Sequence, residues 1–205
     1  MTRFLKILSL AFAMLAGSLW LPAQAQSADP AVQQIQAFYD GLLDTMKHGA
    51  ALGAKGRYDR LTPVVEQAYD LPGMTAAAVG PSWPTISAAD QKSLIDAFTR
   101  MTVANYAKNF DSFNGEKFTV DPTPVVRGSD HYVKSALQPG SGAPIAFTYR
   151  MHQVGGVWKI YDVLLTSENI SQLAQKRSDF SATLSTSGPQ GLAKKINALA
   201  DQMMR

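Results

Sequence analysis

The apolar residues of this chain change period once, near Asn114-Gly115, and that change constrains the fold more than any other feature. Before it, apolar side chains recur every three or four residues, as on one face of a helix. After it they alternate in short runs separated by Gly, Pro, Asn and Asp, as in antiparallel strands joined by turns. A chain that places its helices first and its strands later, then returns to helical spacing, predicts an α+β fold. The expected arrangement is a helix-rich N-terminal half and a four-stranded antiparallel curved sheet, covered by helices.

Local signals set the boundaries. Asp29 precedes Pro30, a cap followed by the imino acid favoured in a first helical turn. Ile35, Phe38, Tyr39, Leu42, Leu43 and Met46 then form one apolar face. The segment "HGAALGAKG" reads as a loop. Tyr58 to Tyr69 reads as a helix broken by Leu71-Pro72-Gly73, followed by a short helix over "MTAAAVG" and a turn over "PSWPTIS". Ser87 with Asp90 three residues later resembles a capping box and opens a long helix. The four expected strands are "KFTVDPTPVVRG", "DHYVKSALQPG", "APIAFTYRMHQVGG" and "VWKIYDVLL", with Gly155-Gly156 turning the last hairpin. Two helices, separated by "STSGPQG", close the chain.

Residues 1–25 read as a cleaved signal peptide. Arg3 and Lys6 precede the apolar run Ile7 to Leu21, and Ala23-Gln24-Ala25 is a small-x-small cleavage site. Residues 26–205 then form one domain, exported and soluble, most simply in a periplasm. Its loss of Arg3 and Lys6 lowers the formal net charge of +3 by two, so no basic excess points to nucleic acid. The chain has no cysteine, which excludes disulfides, zinc thiolates and thiol catalysis.

The search for chemistry finds little. His48, His131 and His152 lack metal-ligand spacing and read as surface or hairpin residues. No nucleophile elbow, P-loop or dinucleotide fingerprint is present. Asp162 is the one acidic residue of a largely apolar strand. One reading makes it the catalytic carboxylate of a small pocket enzyme shaped like the NTF2 and ketosteroid isomerase folds, with Tyr132, Tyr149 or Tyr161 as partner. The other makes it structural, paired with Arg150 or Arg177 or accepting backbone N–H groups where the chain leaves the sheet. The second is favoured, because buried carboxylates persist mainly by pairing. The fourth strand is apolar on both sides: Trp158, Ile160 and Leu164 on one, Tyr161, Val163 and Leu165 on the other. Both sides must be covered, by core or by an apolar ligand. Met74, Met101 and Met151 are soft enough to adapt to such a ligand.

Two stretches carry a resemblance. "YDLPGMTAAAVGPSW" followed by "SAADQKSLIDAFTRMTVANYAKNF" resembles the MlaC, or toluene-tolerance, family of periplasmic lipid carriers, through Asp70, Gly80, Trp83, Gln91, Phe98 and Tyr106. Trp158, Lys159, Asp162, Val163, Arg177, Ser178 and Phe180 match the family's last strand and following helix. "GRYDRLTPVVEQAYDLPGM" and "ISQLAQKRSDF" are similar to the hopanoid-associated member, HpnM. Thr166 to Asn169 depart from the family's shorter, glycine-bearing turn.

The resemblance implies a shuttle that is not an enzyme and needs no cofactor. It would hold phospholipid or hopanoid tails in an apolar cavity, and exchange cargo with an inner-membrane transport complex and an outer-membrane lipoprotein complex. The expected lining is Phe38, Leu42, Val65, Tyr69, Met74, Phe98, Met101, Phe147, Tyr149, Met151, Trp158 and Ile160. A structural adaptor with a filled core is the remaining alternative.

Overall fold

The computed structural model describes residues 28–165 and 170–205. The expected signal peptide and the Thr166 to Asn169 turn lie outside the described residues. Helices α1 (Pro30–Lys47), α2 (Gly49–Ala68), α3 (Leu71–Val79) and α4 (Ala88–Asn109) precede the strands, with a 3-10 turn at Gly80–Thr85. Strands β1 (Lys117–Val120), β2 (Val125–Arg127), β3 (Asp130–Gln138), β4 (Ile145–Val154), β5 (Val157–Leu165) and β6 (Ile170–Ser171) follow, then helix α5 (Gln172–Met203).

Caps form at Asp29 and Ser87, where the sequence places them, and a further one forms at Asp70. Asp29 accepts from Ala31 N at 2.8 Å, Asp70 from Gly73 N at 3.0 Å, and Ser87 from Asp90 N at 3.2 Å. Asp70 therefore opens α3 at Leu71, so Leu71-Pro72-Gly73 begins a helix as well as ending one. The "HGAALGAKG" loop is instead helical from Gly49, and its loop-like composition produces a kink at Gly53 (φ 62°). The two closing helices are likewise one element kinked at Gly188 (φ 64°), directly before Pro189. Glycine takes this left-handed conformation without the Cβ penalty.

The sheet has six strands rather than four, in the order β1-β3-β4-β5-β6, with β2 also paired to β3. "KFTVDPTPVVRG" is two strands because Pro122 and Pro124 lack the N–H that a continuous ladder requires. β6 is a two-residue addition to the edge of β5, pairing Leu165 with Ile170 and Leu164 with Ser171. All these pairings are antiparallel.

One irregularity decides which side chains face the helices. Arg150 pairs with Asp162, but its neighbour Met151 pairs with Ile160, so Tyr161 is an extra residue in β5. A bulge of this kind reverses the alternation beyond it. Ile160, Val163 and Leu165 consequently share the inner face with their partners Met151, Tyr149 and Phe147. The expected division of β5, with Val163 and Leu165 opposite Ile160, is corrected by this bulge.

Helices and sheet pack into one hydrophobic core that includes Val32, Ile35, Phe38, Leu61, Val65, Leu94, Val133, Met151, Ile160, Leu192 and Ile196. Polar links fix the helix starts to one end of the sheet. His131 Nδ1 meets the Asp29 carboxylate at 3.2 Å and His152 Nε2 meets the Asp70 carboxylate at 2.9 Å. Asp70 N donates to Ile160 O at 3.0 Å, beside a parallel bridge between Tyr69 and Ile160. These two histidines are half-buried ties between layers, not the free surface residues that their spacing suggests.

Candidate functional site

A cavity of about 510 Å³ opens between the inner face of the sheet and helices α1, α3, α4 and α5. Its helical wall carries Tyr39 and Leu42 from α1, Met74 from α3, and Phe98, Met101, Thr102, Asn105, Tyr106 and Asn109 from α4, with Phe110 next to them. The sheet wall carries Phe118, Leu137, Ile145, Phe147, Tyr149, Val163 and Leu165. Gln172, Leu173, Lys176 and Met203 of α5, together with Tyr69, complete it. The volume lies in the range of preformed small-molecule sites, about 300–1,000 Å³.

Depth varies along the strands. On β4, Met151 is fully buried, Tyr149 is 3% exposed, Phe147 is half-buried and Ile145 is 46% exposed. The sheet therefore meets the helices at the β3 start and diverges from them at the β4 start. The mouth lies at the diverging end, where Asn105, Asn109 and Ile145 are exposed and Gln172 and Lys176 are half-buried. Lys176 is the one charged side chain in the lining among the described residues.

Of the expected lining residues, Leu42, Tyr69, Met74, Phe98, Met101, Phe147 and Tyr149 face this cavity. Phe38, Val65, Met151, Trp158 and Ile160 do not. Phe38 and Val65 are buried among helices, and Met151 and Ile160 fill the closed end of the wedge. Trp158 stacks on His131 at a ring-centroid distance of 4.1 Å, beyond the cavity.

Reasoning from sequence missed Val163 and Leu165 because of the bulge. It also missed Tyr106, Asn105 and Asn109, although their spacing with Met101 and Thr102 continues one face of α4 and was available as a signal. Gln172, Leu173 and Lys176 continue in the same way from the first turn of α5.

Within the cavity the tyrosines form two hydrogen-bonded groups. Tyr39 donates to Tyr149 at 3.1 Å and lies 2.6 Å from Ser135 Oγ, while Tyr69 and Tyr106 bond to each other. Burial raises the pKa of all four phenols, which are neutral at physiological pH. Phe38, outside the lining, packs against three of them, with ring centroids 5.9, 5.5 and 5.3 Å from Tyr39, Tyr69 and Tyr106.

Asp162 is not in the lining. Its Oδ1 accepts from Val163 N at 2.8 Å and Leu173 N at 3.0 Å, and its Oδ2 accepts from Ser171 Oγ at 2.6 Å. Neither expected arginine pairs with it. Arg150 Nε donates to Asp130 at 2.6 Å and its guanidinium lies over Tyr161, while Arg177 stands beside Gly80. The enzyme reading loses the carboxylate on which it depended. Among the described residues no cluster of His, Asp and Glu could hold a metal ion, and no helix is long and apolar enough to cross a membrane.

Fold and cavity together define a class: α+β proteins with a preformed, mainly apolar cavity wedged open between a helical layer and an antiparallel sheet. Within that class the chain belongs to the MlaC protein family, whose pattern it matches over residues 36–198. It is 23% identical to toluene tolerance protein ttg2D of Pseudomonas putida over 193 residues, 94% of this chain and 88% of that protein. It is similar in fold to the phospholipid-binding protein of Ralstonia solanacearum, whose structure was solved in complex with a phospholipid. That likeness has a TM-score of 0.72 and 21% identity, covering 86% of this chain and all of that one.

Proposed function

We propose that this protein is a periplasmic lipid-binding shuttle, the soluble component of a system that moves phospholipid or hopanoid between envelope membranes. The observation that carries the reading is the wedge-shaped apolar cavity, open at one end, with amides and Lys176 at its mouth. Each methylene removed from water contributes about 0.8 kcal/mol, so an acyl chain seated there is held without a charged clamp. Family membership and the phospholipid seen in the Ralstonia protein support a lipid as cargo. The stretches "GRYDRLTPVVEQAYDLPGM" and "ISQLAQKRSDF" support the hopanoid-associated branch. The partners this reading implies are an inner-membrane lipid transport complex and an outer-membrane lipoprotein complex.

The test is native mass spectrometry of the protein purified from its own envelope, followed by extraction and identification of bound lipid. A one-to-one lipid complex is expected, and the mass separates phospholipid from hopanoid. Protein that is empty as isolated and takes up nothing from vesicles would refute the carrier reading and favour the adaptor.

A further inference from the structure

The hydroxyl groups in the cavity leave protons over. Tyr39, Tyr69, Tyr106, Tyr149 and Ser135 carry one O–H proton each, and three hydrogen bonds join them. Tyr39 gives its proton to Tyr149, so in the short contact with Ser135 it is Ser135 that donates. The Tyr149 proton then has no acceptor among the described residues. In the other pair, one of Tyr69 and Tyr106 donates to its partner, and the partner's proton is unengaged. Every one of these oxygens has a partner, so what remains is donor capacity and not an orphaned atom.

Both free donors belong to residues that line the cavity, Tyr149 on β4 and the Tyr69–Tyr106 pair on the facing wall. An O–H without an acceptor in an apolar cavity is costly, and a ligand acceptor brought there relieves the cost. Thr102 spends its proton on Phe98 O, and the amides and Lys176 lie at the mouth, so among the described residues the inner wall presents two neutral donors and no carboxylate.

We propose that this tyrosine cluster is a recognition site for the two ester carbonyls of a diacyl lipid, which makes it the element that selects ester-linked cargo. The proposal rests on the carrier reading and deepens it. Two neutral acceptors on adjacent carbons of a glycerol backbone match two neutral donors from facing walls. The phosphate on the third glycerol carbon is an anion that the apolar interior disfavours, and it would stay toward the mouth with Lys176.

The test offers the protein vesicles holding equal amounts of a diacyl phosphatidylglycerol and its diether analogue of the same chain length. Bound lipid is counted by mass spectrometry. The diether lacks both carbonyls and is otherwise nearly the same shape. One neutral hydrogen bond corresponds to about fivefold in affinity, so the diester should be preferred on the order of tenfold or more. The double substitution Tyr69→Phe/Tyr106→Phe removes one pair as a unit, orphans no group, and should cut the preference about fivefold. Tyr132→Phe, on the outer face, should leave it unchanged.

Equal loading of diester and diether by the unsubstituted protein would overturn the proposal, with water as the acceptor. A preference that survives the double substitution in folded protein would also overturn it. Failure to load either lipid would remove the phospholipid-carrier reading, and this proposal with it.

Discussion

Asp162 is the residue whose replacement most directly tests how the sheet is joined to the cavity wall. Its carboxylate lies where β5 ends and α5 begins, and it is 7% exposed. Oδ1 accepts two backbone N–H groups and Oδ2 accepts the Ser171 hydroxyl. Ser171 Oγ in turn caps α5 by accepting from Ala174 N at 2.9 Å. Asp162→Ala removes every acceptor at once. It strands the N–H groups of Val163 and Leu173 at about 1–3 kcal/mol each, a loss of roughly 4 kcal/mol in all. Asp162→Asn keeps one oxygen in place for both N–H groups. It loses only the charge assistance and the Ser171 proton's acceptor, roughly 1.5 kcal/mol. The assay is urea unfolding followed by far-UV circular dichroism. With a slope of about 2 kcal/mol per molar urea, the midpoint should fall by about 2 M for Ala and less than 1 M for Asn, at unchanged slope. An Ala variant within about 1 kcal/mol of the parent, or an Asn variant as damaged as the Ala variant, would refute the assignment of Asp162 as the acceptor that sets the start of α5.

Lining and core residues of the same type should separate on substitution. Met151→Ala should cost about 2–5 kcal/mol in thermal or urea unfolding, and Met101→Ala clearly less, because the Met101 side chain already faces a void. Met101→Trp fills that void, so vesicle lipid uptake should drop at least severalfold while unfolding stability changes by less than about 1.5 kcal/mol. Gly49→Ala would drive its Cβ into the Asp111 carbonyl oxygen, a backbone atom that cannot step aside. It should lower stability by about 2 kcal/mol, or about 4–8 °C in melting temperature. The four cavity tyrosines hold their protons above the ordinary tyrosine range because burial disfavours the phenolate. The unfolded chain releases these protons near pH 10 and the folded chain does not. Stability is therefore unaffected below about pH 10 and falls as pH rises beyond it, and phenolate absorbance of the four should appear at higher pH in the folded protein than in the unfolded chain.

Much of the fold was legible because its signals are local. Asp29-Pro30 and Ser87 with Asp90 are chemical statements about which N–H a side chain can reach, and they mark helix starts in the structure. Gly155-Gly156 names its hairpin for the same reason. The errors arose where the outcome depends on a neighbour distant in sequence. Gly53 and Gly188 read as breaks, yet each only kinks a helix whose two parts are held by packing against other elements. Of the two structural partners expected for Asp162, the backbone N–H groups hold and the arginine does not, since Arg150 turns to Asp130 across the hairpin from β3. His131 and His152 showed no partner in sequence because Asp29 and Asp70 lie 102 and 82 residues away.

The candidate site was legible in a narrower sense. Alternation in a strand tells which face a side chain joins, but not how far the opposite layer stands from that face. Phe147, Tyr149 and Met151 share one face of β4, and period alone treats them alike. In the wedge they differ: Met151 closes it, Tyr149 lines its depth, and Phe147 approaches the mouth. Cavity and core are thus the same pattern at different separations of two layers. That separation is set by the closed end, where fully buried Val133, Met151 and Ile160 meet α1 and α2, and by the ties from Asp29 to His131 and from Asp70 to His152. Those contacts fix one edge of the wedge, and the divergence of the layers away from it provides the space. The bulge at Tyr161 is the second half of the device. Were Tyr161 to take a regular strand position instead of bulging, Val163 and Leu165 would turn outward, and the open half of the sheet wall would present Asp162 and Leu164 to the cavity. The bulge therefore both gives the cavity its apolar wall on β5 and places the Asp162 carboxylate outside it, where it anchors α5.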